Sequence, residues 1–178
     1  MSTPSAKLLV FVSGPLACVK IVGRANFTSS IDFKTVLNEL FDKGCTCFIL
    51  DLAECVLMDS TFLGVLAGFG LKLSAMRNGD EQNSRGIELV NPNSRISELL
   101  ENLGVIHLFK VVTGPLALPA EVHAHALAAA DEPTREQVSR NCLEAHKTLM
   151  EISPSNIPKF KEVTQFLAED LKKKVPGA

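Results

Sequence analysis

Hydrophobic and polar positions follow two different periods along the first 112 residues of the chain. Short apolar runs bounded by turn residues predict strands at 8–12, 17–22, 47–52 and 87–90. Apolar residues at helical spacing predict helices at 31–41, from 59 to about 77, and at 94–103. A short helical turn and an edge strand are expected over 105–112, and a polar loop over 78–86. This alternation favours an α/β domain with a mixed sheet over residues 7–112.

The pattern changes after residue 112. Residues 113–133 contain Gly-Pro, Leu-Pro and an alanine run, which indicates a linker. Thr134-x-x-Gln137 is then a capping-box signature, and two amphipathic segments follow, separated by a proline-containing turn. They predict a helical hairpin over 134–175. Such a hairpin is too small to be stable alone, so it must dock on residues 7–112, on a second copy, or on a partner.

The composition of the chain argues against some classes of function. The 178 residues carry a net charge of −2, with 46% hydrophobic and 21% charged residues, the balance of an ordinary globular protein. No basic face is indicated, so nucleic acid is not an expected partner. Gly14-Pro15 interrupts the apolar N-terminal stretch, and no run is long enough to span a membrane. These features predict a cytoplasmic protein without membrane insertion.

Metal and catalytic motifs are weak in this sequence. The five cysteines follow no framework spacing and are expected to be small buried residues in a reducing compartment. His123-x-His125 lacks further ligands at useful spacing. No Walker A, dinucleotide or G-x-S-x-G motif is present, and no histidine adjoins Ser60 to act as a base. We therefore expect no catalytic residue, metal or cofactor, and a protein that is not an enzyme.

Residues 57–68 contain the candidate site. A strand ends there, and a helix begins at Asp59-Ser60-Thr61, three residues with oxygen-bearing side chains. The first amides of a helix lack partners within the helix, and the macrodipole is positive at that end, so an anion is favoured there. A phosphate on Ser60 would bring about two negative charges to this tolerant position. The alternative is plain N-capping by Asp59 or Ser60, which local physics alone favours.

The stretch Met58-Asp59-Ser60-Thr61-Phe62-Leu63-Gly64-Val65-Leu66 resembles the signature of the STAS domain found in anti-sigma factor antagonists. Members of that family typically read Asp-Ser-Ser/Thr-Gly-Leu-Gly between the third strand and the second helix. Their first serine, phosphorylated by a partner anti-sigma kinase in switching members, corresponds to Ser60. Residues 48–52 resemble the family's preceding strand, and residues 96–110 resemble its closing helix and tail.

The resemblance implies an α/β fold, namely a STAS-like mixed β-sheet with α-helices, plus a C-terminal α-helical extension that lies outside the family pattern. It implies a non-enzymatic signalling protein, similar to an anti-sigma factor antagonist and acting in transcription regulation. Its partner would be an anti-sigma factor, a serine kinase or a related regulator. Phosphorylation of Ser60 would weaken that complex, and a phosphatase would reset it.

Two positions depart from the family pattern. Phe62 stands where the family usually has Gly, which puts a large ring in the first helical turn beside Ser60. Asn26 stands about where switching members often carry Asp in a Gly-x-Leu-Asp loop. Asn26 keeps the hydrogen-bonding geometry of an Asp but loses its charge. Both changes bear on pairing with a kinase and leave Ser60 in place.

The predicted helix after Asp59 has two apolar stripes, where a surface helix needs one. The first stripe is suited to packing on the sheet and comprises Leu63, Leu66, Ala67, Gly70 and Leu73. The second comprises Phe62, Val65, Phe69 and Met76. It is either a partner-binding face or, as the sequence slightly favours, the place where the hairpin docks. The predicted partner-binding residues are Asn26, Asp59, Ser60, Thr61, Phe62, Val65 and Phe69.

Two other functions fit the same sequence. STAS-type domains also serve as ligand-binding or transport-accessory modules, and a helix N-terminus can bind an anion without help. A third reading is a scaffold in which the hairpin mediates self-association, with a homodimer as the product and Ser60 as a mere cap.

Overall fold

The computed structural model describes residues 5–76, 86–116, 123–125 and 132–173. The polar loop predicted at 78–86 lies almost wholly outside these residues, as do most of the predicted linker and the end of the predicted hairpin at 174–175.

The N-terminal part alternates strands and helices. Its elements are β1 (Lys7–Ser13), β2 (Leu16–Ala25), α1 (Ser29–Asp42), β3 (Cys47–Asp51), β4 (Cys55–Met58), α2 (Ser60–Ala75), β5 (Gly86–Val90), α3 (Ser94–Asn102), a 3₁₀ turn (Ile106–Leu108) and β6 (Lys110–Val112). The remaining elements are β7 (His123–His125), α4 (Arg135–Ile152), a 3₁₀ turn (Pro154–Asn156) and α5 (Ile157–Lys173).

The described strands form one mixed sheet, with the order β6-β5-β3-β2-β1-β7 and with β4 paired to the far end of β2. β1 runs antiparallel to β2 and to β7, whereas β3, β4, β5 and β6 join by parallel pairings. Phe48 and Leu50 of β3 are buried beneath α1 and α2, while Cys47 and Ile49 on the opposite face are half-buried. One face of this central strand is therefore more open than the other.

The ranges predicted for strands do not include two of the observed strands, β4 and β7. β4 is four residues long and buries only its first and last residues, a pattern too brief to stand out from a turn. Its pairing of Met58 with Ala25 brings the start of α2 beside the loop before α1. β7 lies within residues 113–133, predicted as a linker, and pairs with Val10–Val12 of β1.

The C-terminal helices form the predicted hairpin. Thr134 and Gln137 make both hydrogen bonds of a capping box at the start of α4. α4 lies directly against α2, and a Cβ built on Gly64 would approach Ala145 O to 2.5 Å. Real Cβ contacts are not so short, so this crossing requires a glycine at position 64. The hairpin thus docks on the body of the chain.

Candidate functional site

Asp59 is the N-cap of α2. Its Oδ1 accepts a hydrogen bond from the Phe62 amide at 2.9 Å, and its Oδ2 accepts one from the Phe27 amide at 2.6 Å. Both carboxylate oxygens are therefore used on backbone amides. Of the two capping residues that the sequence allowed, the structure selects Asp59, and the Ser60 hydroxyl at the first helical position is left for another contact.

Asn26 organises the loop that faces Asp59. Its Oδ1 accepts a hydrogen bond from the Ser29 amide at 3.1 Å, and the Ser29 hydroxyl donates a hydrogen bond to the Asn26 carbonyl at 3.0 Å. This turn presents the Phe27 amide to Asp59. The predicted positions Asn26 and Ser60 therefore lie on adjoining loops, and the amide side chain supplies the geometry of the turn.

Ser60 contacts a histidine from the C-terminal hairpin. Ser60 Oγ lies 2.9 Å from His146 Nε2, across 86 residues of sequence. His146 Nδ1 lies 2.7 Å from the Cys142 carbonyl, which can only accept, so in the neutral imidazole Nδ1 carries the proton and Ser60 Oγ donates to Nε2. The expectation that no histidine adjoins Ser60 was wrong, because it considered only neighbours in sequence. His146 is 5% exposed and packs against Phe160, with ring centroids 4.7 Å apart.

Further contacts place α4 over the whole start of α2. Thr61 Oγ1 lies 3.3 Å from Cys142 Sγ, and Asn141 Nδ2 donates to Ser30 Oγ at 2.8 Å. At the rim, the exposed side chains of Lys34 and Glu144 form an ion pair at 3.2 Å. The candidate site is therefore an interface between the N-terminal ends of α1 and α2 and one face of α4.

Two residues predicted to bind a partner belong to the core. Phe62 is fully buried and stacks on Phe33 with ring centroids 4.3 Å apart. Phe69 is 6% exposed and meets Phe48 edge to face. These two rings face α1 and the sheet, whereas Val65 of the same stripe is half-buried beside a cleft and Met76 is 40% exposed. The hairpin instead docks on the small residues Thr61, Gly64 and Gly68.

Burial sets the electrostatics of Asp59. Loss of solvent raises the pKa of this carboxyl above its ordinary value, and the amides of Phe62 and Phe27 together with His146 oppose that rise without cancelling it. The folded chain therefore holds the Asp59 proton more tightly than the unfolded chain does. The negative charge beside Ser60 is maintained at a cost to stability at neutral pH.

A pH-dependent contribution of Asp59 follows from that shift. Because its pKa is higher in the folded state, its stabilising contribution is present below the unfolded-state pKa and is lost as pH rises through the folded-state pKa. We expect the free energy of unfolding of the wild type, minus that of Asp59→Asn, to fall as pH rises from about 4 to about 7. Urea unfolding across this range measures the difference. Asp32→Asn, at an exposed position of α1, controls for loss of one charge, and a difference for Asp59→Asn that rises with pH contradicts the assignment.

The remaining candidates show ordinary buried or paired groups. Burial raises the pKa of Cys18 and of Cys55 to about 11, so both are protonated at neutral pH. Among the residues with described side chains, no three His, Cys, Asp or Glu residues are grouped to hold a metal ion. The side chains of His123 and His125 lie outside that set. No helix within the described ranges is both long and apolar enough to cross a membrane.

A cleft of about 200 Å³ lies between α1, α2 and α4, beside the covered site. Its floor includes Val65 and Phe69, and its rim carries Lys34 and Lys72. Lys34 pairs with Glu144, while Lys72 lies over the Phe41 ring at 4.4 Å. Since both cations already have partners within the chain, the cleft gives no specific indication of an anionic ligand.

Comparison with known proteins identifies the fold. No protein-family model matches the sequence, and no curated protein matches it. A protein of Thermotoga maritima, assigned as an anti-sigma factor antagonist, is 20% identical, with 62% of this chain and 86% of that chain covered at a TM-score of 0.50. The phosphorylated Bacillus cell fate determinant SpoIIAA is 16% identical, covering 61% and 92% at a TM-score of 0.47. An anti-sigma factor antagonist of Mycobacterium paratuberculosis is 16% identical, covering 62% and 89% at a TM-score of 0.43.

The first of these similarities confirms the predicted fold. The chain has a STAS-like α/β fold, a mixed sheet with α-helices, to which α4 and α5 add a C-terminal helical extension.

Proposed function

We propose that this protein is a non-enzymatic regulator of the anti-sigma factor antagonist type, switched by phosphorylation of Ser60. The observation that supports the proposal is that Asp59, and not Ser60, caps the start of α2. Asp59 caps the helix through Oδ1 and accepts the Phe27 amide of the facing loop through Oδ2, so Ser60 is not needed as a cap. Ser60 does not cap the helix and lies at a helix end that favours an anion. Such a serine is suited to accept a phosphate.

In this function the partner is another protein, an anti-sigma factor with serine kinase activity or a related regulator. It would bind the surface formed by the Asn26 loop and the start of α2 when Ser60 is unmodified. The kinase would transfer the γ-phosphoryl group of ATP to Ser60 Oγ, with release of ADP and of the hydroxyl proton. The added charge of about −2 would then weaken the complex, and a phosphatase would restore it by hydrolysis.

The family resemblance around Ser60 and the shared STAS-like fold support this class of function. The burial of Phe62 also supports it, because the ring that replaces the usual glycine turns into the core and does not itself cover Ser60. Asn26 supplies the turn geometry at the facing loop without a negative charge. In this function the chain itself is the substrate of the kinase. Both carboxylate oxygens of Asp59 accept backbone amides, so Asp59 does not orient His146 as the acid of a Ser-His-Asp triad would.

Phosphopeptide mapping of the protein isolated from its native cells tests the switch. We expect phosphate on Ser60 and its loss in Ser60→Ala. Ser94→Ala is a matched control, because Ser94 is also the first residue of a helix whose preceding residue, Asn93, is the N-cap. The control variant should keep the phosphate on Ser60. If Ser60 stays unmodified across growth and stress conditions, the phosphoswitch is abandoned, and the chain is a constitutive binding module.

A further inference from the structure

The interface between α4 and the rest of the chain is unusually polar for a helix contact. α4 is described throughout, and three of its six buried residues are polar; the six are Ser139, Asn141, Leu143, Ala145, His146 and Leu149. Each of the hydrogen bonds to Ser60, Thr61 and Ser30 joins groups that water can satisfy when the helices separate. Such an interface resembles transient protein contacts more than a domain core, so it can open at modest cost.

The body of the domain has a closed apolar core without the hairpin. Phe33, Phe48 and Phe62 fill the space between the sheet and the two helices that cover it. Among the described residues of that apolar cluster, α4 and α5 contribute one buried member, Leu149, and the half-buried Ile152 and Phe160 pack against it. Removal of α4 from the start of α2 therefore uncovers Thr61, Gly64 and Gly68 but leaves the main core in place.

The turn between α4 and α5 is held more firmly. Asn156 is fully buried, and its Nδ2 donates to the carbonyls of Leu103 and Leu149 at 2.9 and 2.8 Å. Lys159 Nζ donates to the Asn102 carbonyl at 2.8 Å. The hairpin is thus anchored to the end of α3 at one end, and it covers Ser60 with its more polar part.

We propose that the hairpin of α4 and α5 is a built-in cover for the α2 surface, and that its docking and the phosphorylation of Ser60 exclude each other. The proposal rests on Ser60 being the switch residue of the proposed function, but the cover itself can be tested without any kinase. The docked state hides the proposed partner surface. A partner or a modified Ser60 would favour the released state, in which α4 pivots about the Asn156 anchor.

Direct contact between the two side chains explains the exclusion. Ser60 Oγ already touches His146 Nε2 at 2.9 Å, so a phosphoryl group has no room in that direction. Phosphorylation replaces the hydroxyl proton that Ser60 donates to His146, and it adds a dianion beside the carboxyl of Asp59, whose pKa burial already raises. The coupling is reciprocal: if docking of α4 disfavours the phosphate on Ser60, the phosphate disfavours docking by the same factor.

Two glycines of α2 provide a matched test of release. A Cβ at Gly64 would meet the Ala145 carbonyl oxygen at 2.5 Å, whereas a Cβ at Gly68 would meet Thr148 Cγ2 at an ordinary 3.6 Å. Both changes to alanine favour the helix equally, so the two variants differ mainly at the α4 contact. In the full chain we expect Gly64→Ala to speed amide hydrogen exchange in α4 about tenfold or more, with β2 and β3 unchanged. Gly68→Ala should leave α4 as in the wild type.

Ser60 variants test whether the switch residue controls the cover. Ser60→Glu adds charge and bulk at a helix end that tolerates a carboxylate, and we expect it to speed exchange in α4 by a similar factor. Ser60→Ala removes one hydrogen bond and should have a much smaller effect. Thiol labelling of Cys142, followed by peptide mass spectrometry, reports the same opening because Cys142 contacts Thr61 in the docked state.

Two results overturn the cover. Faster exchange in β2 and β3 together with α4 in Gly64→Ala shows that the hairpin is an integral part of the core. Unchanged α4 exchange in Ser60→Glu shows that Ser60 does not control docking. Phosphate mapping separates this inference from the proposed function, because a phosphorylated Ser60 with α4 still docked refutes the cover alone. Release of α4 by Ser60→Glu without any phosphate in cells refutes the phosphoswitch alone.

Discussion

Replacement of Phe62 by alanine is expected to lower the free energy of unfolding by about 3–5 kcal/mol. The ring is fully buried and stacks on Phe33 at 4.3 Å with an interplanar angle of 19°. Its removal takes away apolar contacts and leaves a cavity between α1 and α2 that rigid neighbours fill only in part. Urea or thermal unfolding of the purified protein measures the loss.

Phe166→Ala is the matched control for Phe62. The same side chain is removed, but Phe166 is 67% exposed on α5, so a change within about 0.5 kcal/mol is expected. A similar small change in Phe62→Ala would mean that the ring is not in the core, and would restore it as a partner-binding residue. The comparison therefore decides between the assignment made from the sequence and the one made from the structure.

Replacement of Leu149 by alanine is expected to cost about 2–5 kcal/mol, mainly in the C-terminal hairpin. Leu149 is fully buried, and its carbonyl accepts one of the hydrogen bonds of Asn156. Because this leucine is the hairpin's contribution to the described buried cluster, its loss should raise hydrogen exchange in α4 and α5 more than in the sheet. Hydrogen exchange and denaturant unfolding of the same sample give both quantities.

Leu71→Ala is the control, because it makes the same change of side chain at a more exposed position. Leu71 lies on α2 and is 39% exposed, so truncation should cost much less than at position 149. If Leu149→Ala raises exchange equally in the hairpin and in the sheet, the hairpin and body unfold as one unit. In that case the anchor near Asn156 would be part of the global core, and partial opening would be excluded.

Local patterns predicted most of the secondary structure because they depend on near neighbours. The capping box at Thr134 and Gln137 appears with both of its hydrogen bonds, and α3 ends before Gly104, whose φ is +67°. β4 was missed because four residues are too few to show a period. β7 was missed because its segment reads as an alanine-rich linker, and its pairing partner lies more than a hundred residues away.

The face that each helix presents was harder to predict. α2 has apolar residues around most of its circumference, so periodicity alone could not tell which stripe meets the sheet. Phe62 and Phe69 were assigned to a partner surface, yet they fill the core, while the small residues Gly64 and Gly68 receive α4. A glycine on a helix face is a signal of close approach, so Gly64 and Gly68 mark in the sequence a place where another helix can pack.

The sequence by itself determined most of the elements, the caps and the anion-tolerant start of α2 at Asp59 and Ser60, because these properties arise within a few residues. Only the tertiary structure decided that His146 meets Ser60 and that Cys142 meets Thr61, across 86 and 81 residues. Those contacts depend on where one helix crosses another, which the volume of side chains at Gly64 and Ala145 sets. The spacing of residues along the chain does not show where the two helices cross.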